Sequence, residues 1–531
     1  MGRYLTILEV SQKQAYIFAS NKLADNIRRS GEIAKITEID YMQKAVNESA
    51  FVQKKPKLKD NLVYTGGGHT ILEFKDDNTA REVVESITCR VINDLPDIEL
   101  FAATIEYDED KKPGDNIKDL TAALEKKKSF RAASFHQGTF GIEKIDSSTG
   151  KPVRTGKTNS IWYPPEEEEP EGFTRTAKFE ELGGTKNESN LIAVVHIDGN
   201  AMGKRVEQIA GIFKKGQWND YKEKMRSFSE KIEQDYKDAF RSTEELVAES
   251  LRTVINGTET PLSALSLSVN KEGKVCLPIR RVISEGDDIC FVTEGRIGLE
   301  CAAAFLRYLT GKKNKEDGMP YAACAGVAIV HQKYPFYRAY ELAEELCKNA
   351  KQFGVTLCTK LFGSTNGVAA GARTSAIDWH IEYGELQDTL ADTRKQYNAG
   401  DGSRLELRPY IVQSTKKVLE NETIRRYENF VSLMKELQKT DNYSKTRLKE
   451  LRFALKKGRA ETANYLKYHK IEEIGRDAYH GIYEEIDFRK TEIGSGEQLE
   501  RKYYVETSDN KTRSILFDAV EMMDTFLPLQ N

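Results

Sequence analysis

The chain has no apolar run approaching the roughly 18 residues that a membrane span needs. It opens on Met1-Gly2-Arg3-Tyr4-Leu5 with no secretory pattern, and leads straight into a strand-like segment. Its seven cysteines stand singly, with no Cys-x-x-Cys among them. That spacing argues against a disulfide framework and a cysteine zinc site, and makes the reducing cytoplasm the expected setting. Charge of one sign is missing too. The 80 Lys and Arg against 83 Asp and Glu give a formal net charge of −3, so any pull on nucleic acid must come from a local patch. What is present suffices for real cores, with 39% hydrophobic and 31% charged residues in 531. A chain of this length is expected to form about three or four domains, with a long solvated surface.

The pattern along the first half predicts a strand at 4–10 and a helical stretch at 14–38. Two short strands at 62–64 and 70–74 flank Thr65-Gly66-Gly67-Gly68-His69. A helix at 79–91 and a strand at 100–105 complete a β-α-β-β-α-β order. The same order returns. A buried strand runs from 191 to 198, a long helix from about 227 to 255, and strands 281–283 and 289–292 flank Ser284-Glu285-Gly286-Asp287-Asp288. A helix at 299–309, a strand at 322–330 and an amphipathic helix at 336–353 follow. The fold class expected is therefore α+β: two ferredoxin-like, polymerase-type palm domains from an internal duplication, followed by an all-helical C-terminal domain. The expected division is 1–136 for the first palm, 137–190 for a linker carrying the acidic run Pro164–Glu171, 191–375 for the second palm and 376–531 for the helical domain. Between Asp441 and Lys470, nine Lys/Arg stand against three acids. This basic stripe reads equally as a solvated helix face and as a contact for RNA or a subunit.

The chemistry gathers in the second half. A β-α-β-β unit places the end of its first strand beside the turn joining the next two, so Asp198 is expected next to Asp287 and Asp288. Clustered carboxylates repel unless a cation sits among them. Mg²⁺ or Mn²⁺ suits oxygen ligands and substrate phosphates, and two such ions about 4 Å apart can activate a 3′-hydroxyl and stabilise leaving pyrophosphate. Gly286 allows a tight turn and close approach of phosphate to backbone. Gly199, Asn200 and Gly203 open the next segment, where exposed amides can cradle a triphosphate. Lys204, Lys348 and Lys351 are candidate phosphate partners. In the first half, Gly66, Gly67 and Gly68 take the place of the acidic turn. A mononuclear site at His69 is conceivable, but a nucleotide-binding half without metal chemistry is the expected role.

At these residues the chain resembles the large subunit of type III CRISPR effector complexes, the paired-palm cyclic oligoadenylate synthases related to GGDEF cyclases. Gln14-Ala15-Tyr16-Ile17-Phe18 and Tyr64-Thr65-Gly66-Gly67-Gly68 resemble the family's degenerate first palm. Asp198-Gly199-Asn200-Ala201-Met202-Gly203 and Glu285-Gly286-Asp287-Asp288 resemble the second, with Asn200 at a common aspartate and Glu285 at a glycine. Pro335 to Lys351 resembles the helix that follows. The resemblance implies catalytic Asp198, Asp287 and Asp288, metal contacts from Asp198, Ile197, Asp287 and Asp288, and ATP as substrate. It also implies a cyclic oligoadenylate product in antiviral defence, with guide-RNA complex subunits and RNA as partners through the C-terminal helices. The family's HD nuclease domain is not expected, since no His-Asp dipeptide occurs, nor is its cysteine zinc element, since the cysteines stand singly. A second reading is a scaffold subunit that binds nucleotide or RNA without catalysis.

Overall fold

The computed structural model describes residues 2–130, 168–182, 190–382, 389–439, 443–471, 503–507 and 511–529, with 142, 144, 474–475 and 478–479 between them. The first sheet holds β1 (Tyr4–Ser11), β2 (Leu62–Gly66), β3 (His69–Phe74) and β4 (Glu99–Glu106), in the order β2-β3-β1-β4. The helical stretch after β1 is two helices, α1 (Lys13–Ile17) and α2 (Leu23–Thr37), followed by α3 (Ile39–Glu48) and α4 (Leu58–Asn61). Helix α5 (Asp77–Asp94) joins β3 to β4, and α6 (Pro113–Ser129) follows β4.

A two-residue strand β5 (Phe173–Thr174) precedes the second sheet, which opens with β6 (Leu191–Gly199). Then come α7 (Met202–Ile212), α8 (Trp218–Ile255), β7 (Val275–Cys276, paired with β5), β8 (Ile279–Glu285), β9 (Asp288–Glu294), α9 (Gly298–Thr310), β10 (Ala323–His331) and α10 (Phe336–Phe362). The order β10-β6-β9-β8 repeats β4-β1-β3-β2 strand for strand, as the duplicated pattern predicts. Helix α11 (Ser364–Gly371) leads to β11 (Ser375–Ile381). After α12 (Leu390–Thr393), β12 (Tyr410–Gln413) lengthens the same sheet beyond β10.

The remaining elements are α13 (Lys416–Asn421), α14 (Tyr427–Leu437), α15 (Lys445–Lys457), α16 (Arg459–Tyr468), a strand pair β13 (Tyr504–Glu506) and β14 (Thr512–Ser514), and α17 (Phe517–Met522). The expectation of an all-helical domain over 376–531 therefore needs correction, because nearly all of β11 and the whole of β12, β13 and β14 lie there. Tyr410, Ile411 and Val412 are aromatic or β-branched and buried, but four residues carry too short a period to be legible without the β11 edge they pair with. Of the acidic run, residues 164–167 lie outside the described residues. Its end is anchored, since Glu169 accepts hydrogen bonds from Thr174 Oγ1 (3.0 Å) and Arg175 N (2.8 Å).

The strand β6 shows why the sequence places its charged residues at the sheet end. It is buried along both faces, which suits its Val/Ile-rich run. Ala193, Val195 and Ile197 enter the larger core with α8 and α9, while Ile192 and Val194 face Tyr340, Ala343 and Leu346 of α10 in the other. The alternation carries Asp198 onto the α10 side. Helix α8 also draws the palms together. Trp218 Nε1 and Lys222 Nζ both reach Glu73 Oε2 at 2.9 Å, Arg226 donates to the Leu62 and Val63 carbonyls, and Ser229 Oγ donates to Thr65 O at 3.0 Å.

Candidate active site

Three carboxylates meet at one end of the second sheet. Asp198 and Asp288 are directly opposed in the β6–β9 register, so their side chains share the α10 face. Asp287 stands in the two-residue turn between β8 and β9, after Gly286 at φ 64. A positive φ at the first turn position is what glycine supplies at no steric cost. Asp287 leans the other way, toward α8. A Cβ on Gly199 would lie 2.7 Å from both Asp287 Oδ2 and Tyr236 Oη. Only glycine at 199 leaves room for that carboxylate, and the Gly199 amide donates to Asp287 O at 3.2 Å.

The cluster is short of positive charge. Lys351 of α10 reaches Asp198 Oδ2 at 2.5 Å and Gly199 O at 2.8 Å. Burial, then the Asp198 charge, pushes Asp287 up to about 6. Burial and the charges of Glu285, Asp198 and Asp287 raise Asp288 well above the usual carboxylate range. Asp288 Oδ1 is buried without a hydrogen-bond partner, 3.4 Å from His196 Nδ1, which burial holds neutral by lowering it to about 4. The Ile197 side chain is fully buried, so only its backbone can take part. Among the described residues no three His, Cys, Asp or Glu side chains converge as a ready-made cation cage. The reason is geometric: Asp198 and Asp288 lie on one face and Asp287 on the other. Carboxylates raised by burial and mutual repulsion, with an orphaned buried oxygen, are the chemistry that a hard divalent cation relieves.

The other expected residues divide. Ala201 at φ 56 caps α7, leaving Gly203 and Lys204 exposed on its first turn. Asn200 is not turned toward the carboxylates; its Nδ2 donates to Thr374 O at 2.8 Å and its amide to Ala322 O at 2.8 Å. Lys348 is exposed and pairs with Glu344 at 3.0 Å, away from the aspartates.

The two palms confront each other at their turns. Gly67 and Gly68, at φ 59 and 75, form the hairpin turn of the first palm. A Cβ on Gly286 would lie 4.0 Å from the Gly67 amide nitrogen. Lys13 spans the gap, donating to Gly67 O at 2.6 Å and pairing with Glu285 Oε2 at 2.9 Å. A cavity of about 280 Å³ opens beside the turns, lined by Ser30, Ala34 and Thr37 of α2, Lys237 of α8 and Ser284 of β8. Lys13, Tyr236 and His196 belong to this site and carried no motif. Lys13 and Glu285 are 272 residues apart, so only the fold makes them neighbours.

Residues 191–355 match the family model described as Cas10/Cmr2, second palm domain. This segment is similar to that second palm. The three aspartates, Lys351 and the Gly286 turn all lie within it. No curated protein matches the chain. Crystal structures of Csm1–Csm4 cassettes are similar at low level. One in complex with cA3 has 17% identity and a TM-score of 0.41, covering 66% of this chain and 53% of that one. The apo cassette has 14% identity and a TM-score of 0.42, covering 88% and 65%. The chain thus spans about half to two thirds of the length of those it matches. No helix among the described residues is long and apolar enough to cross a membrane.

Proposed function

We propose that the chain is a nucleotidyltransferase that joins ATP into a cyclic oligoadenylate-type messenger with release of pyrophosphate, as the large subunit of an RNA-guided antiviral complex. The observation that carries this is the Asp198–Asp288 pair with Asp287 at the turn, on a hairpin that meets the first palm's glycine turn beside a cavity. In the step, the 3′-oxygen of one nucleotide attacks the α-phosphorus of the other. A phosphodiester bond forms, the bond to the β-phosphate bridge breaks, and the hydroxyl proton passes to water. Asp198, Asp287, Asp288 and the Ile197 carbonyl would hold Mg²⁺ or Mn²⁺, which when bound supplies Lewis-acid activation of the hydroxyl and neutralises the pyrophosphate. Lys351 holds Asp198 in place and offers its ammonium to phosphate. Gly199 and Gly286 keep the backbone close to the reacting groups, and the first palm presents the second nucleotide. The Csm1–Csm4 cassettes, crystallised with cA3, cA4 or one ATP, are consistent with ATP and a partner subunit here.

Incubation with ATP and Mg²⁺ or Mn²⁺, with and without a target-RNA complex, is expected to give a cyclic product that Asp287→Ala with Asp288→Ala abolishes. No product under any of these conditions overturns the proposal. A scaffold role has one observation in its favour: lysines already neutralise Asp198 and Glu285. On that reading the aspartate variants are silent, and Lys456→Ala with Lys457→Ala, at the exposed end of α15, weakens complex assembly.

A further inference from the structure

Tyr236 lies half-way along α8 and is fully buried, yet its hydroxyl has no hydrogen-bond partner among the described residues. An unpaired buried hydroxyl is costly, and where the ring alone mattered phenylalanine would serve without that cost. The ring is not free to carry the hydroxyl elsewhere. It is wedged between Phe305 and Tyr321, with centroids 6.0 Å away in each case, and Tyr321 meets it edge-on. Tyr321 is fixed in turn by Arg205, whose guanidinium stands 5.0 Å from its ring while holding Asp317 at 2.7 and 2.9 Å.

The hydroxyl ends at the metal side of the sheet. A Cβ on Gly199 would meet Tyr236 Oη and Asp287 Oδ2 at the same 2.7 Å, so phenol and carboxylate border one gap that glycine leaves open. Burial, then the charges of Asp287 and Asp198, keeps the phenol protonated, and it faces those carboxylates as a donor. The two cations that act on Asp287, Lys351 and Arg205, are committed to Asp198 and Asp317. That leaves the phenol, among the described residues, as the uncommitted side-chain donor beside Asp287.

We propose that Tyr236 is a positioning residue for Asp287: its hydroxyl donates to one carboxylate oxygen when the other turns to a divalent cation, and so fixes the aspartate in its ligating orientation. The inference rests on the metal-dependent reading above, and adds to it a residue of α8 that lies outside every motif of the site. Metal-binding carboxylates are commonly held by such a bond, and losing it typically costs about ten- to a hundredfold in metal affinity. Tyr236→Phe deletes the donor and keeps the ring. Mn²⁺ titration of the full chain without nucleotide, followed by the EPR signal of the free ion, reads the affinity, and the Mn²⁺ scored is that which Asp287→Asn fails to take up. Tyr236→Phe is expected to weaken this binding about tenfold. In chelator, its urea midpoint is expected to equal or exceed that of the parent, because the hydroxyl it removes is unpaired without metal. A merely structural tyrosine would give the opposite pattern, with stability lost and affinity kept. Binding within about threefold of the parent overturns the inference and leaves the proposed function standing. A lower urea midpoint in chelator does the same, since the hydroxyl then serves the metal-free fold. A parent chain that takes up no Mn²⁺ overturns the proposed function and this inference together.

Discussion

Asp287 shows how the site strains against its own fold. Its folded value of about 6 exceeds the usual 3.8, so between those values the folded chain holds a proton that the unfolded chain has released. The stability this group provides is full below about pH 4 and is lost as pH rises through 6. Asp287→Asn is therefore expected to stabilise the chain at pH 8 in chelator by about 1 to 2 kcal/mol, a figure discounted for the partial exposure of the group. The gain should vanish near pH 4, and urea titrations at the two pH values check it. Added Mg²⁺ should reverse the ranking, because a ligand that binds only the folded form raises its stability. An Asn variant that gains as much from Mg²⁺ as the parent would remove Asp287 from the proposed metal site. The aspartates themselves were legible, since Asp198 and Asp288 stand at the ends of short apolar strands and Asp287 in the turn beside them, each in a recognisable run. Lys13 was not: a single charged residue in a short helix carries no motif, and only the fold brings it to Glu285, 272 residues away.

Two elements hold the site in register. Helix α10 carries Lys351 and lies so close to β10 that a Cβ on Gly326 would come within 1.9 Å of Ala343 O and 2.4 Å of Cys347 N. The contact is backbone against backbone and cannot be relieved by a rotamer change. Gly326→Ala is expected to cost about 3 kcal/mol in denaturant unfolding and to draw Lys351 away from Asp198, so nucleotide turnover should fall with it. An unfolding midpoint within error of the parent would show that α10 can shift freely. The second element contact is the β8–β9 turn against the first palm. Lys13 and Glu285 retain 29% and 10% of their side-chain exposure, so their pairing is expected to contribute on the order of 0.5 to 1 kcal/mol. A double-mutant cycle with Lys13→Ala and Glu285→Gln measures it, and a coupling near zero means the turns are held by α8 alone. Element types were largely legible from periodicity. Helix α8 was expected from about residue 227 and starts at Trp218, because its first turns are fixed by Glu73 of the other palm. The strand β12 escaped notice for the same reason: its partner edge, not its own four residues, makes it a strand.

At the scale of the molecule, the feature that bears most on the proposed function is that two like palms sit in one chain with their turns in contact. Cyclases with one palm per chain build a complete site only when two chains meet, so their specific activity falls on dilution. Here the partner palm is tethered, and α8 buries Trp218 and Tyr221 in the core shared with Val63 and Ile71 of the first sheet, so the encounter has already been made during folding. Product formation per chain is expected to stay constant over a hundredfold dilution, provided that any activating RNA complex is kept in excess. A specific activity that falls in proportion to chain concentration would mean that the turn-to-turn contact is not the reacting pair and that the second palm meets its counterpart in another copy.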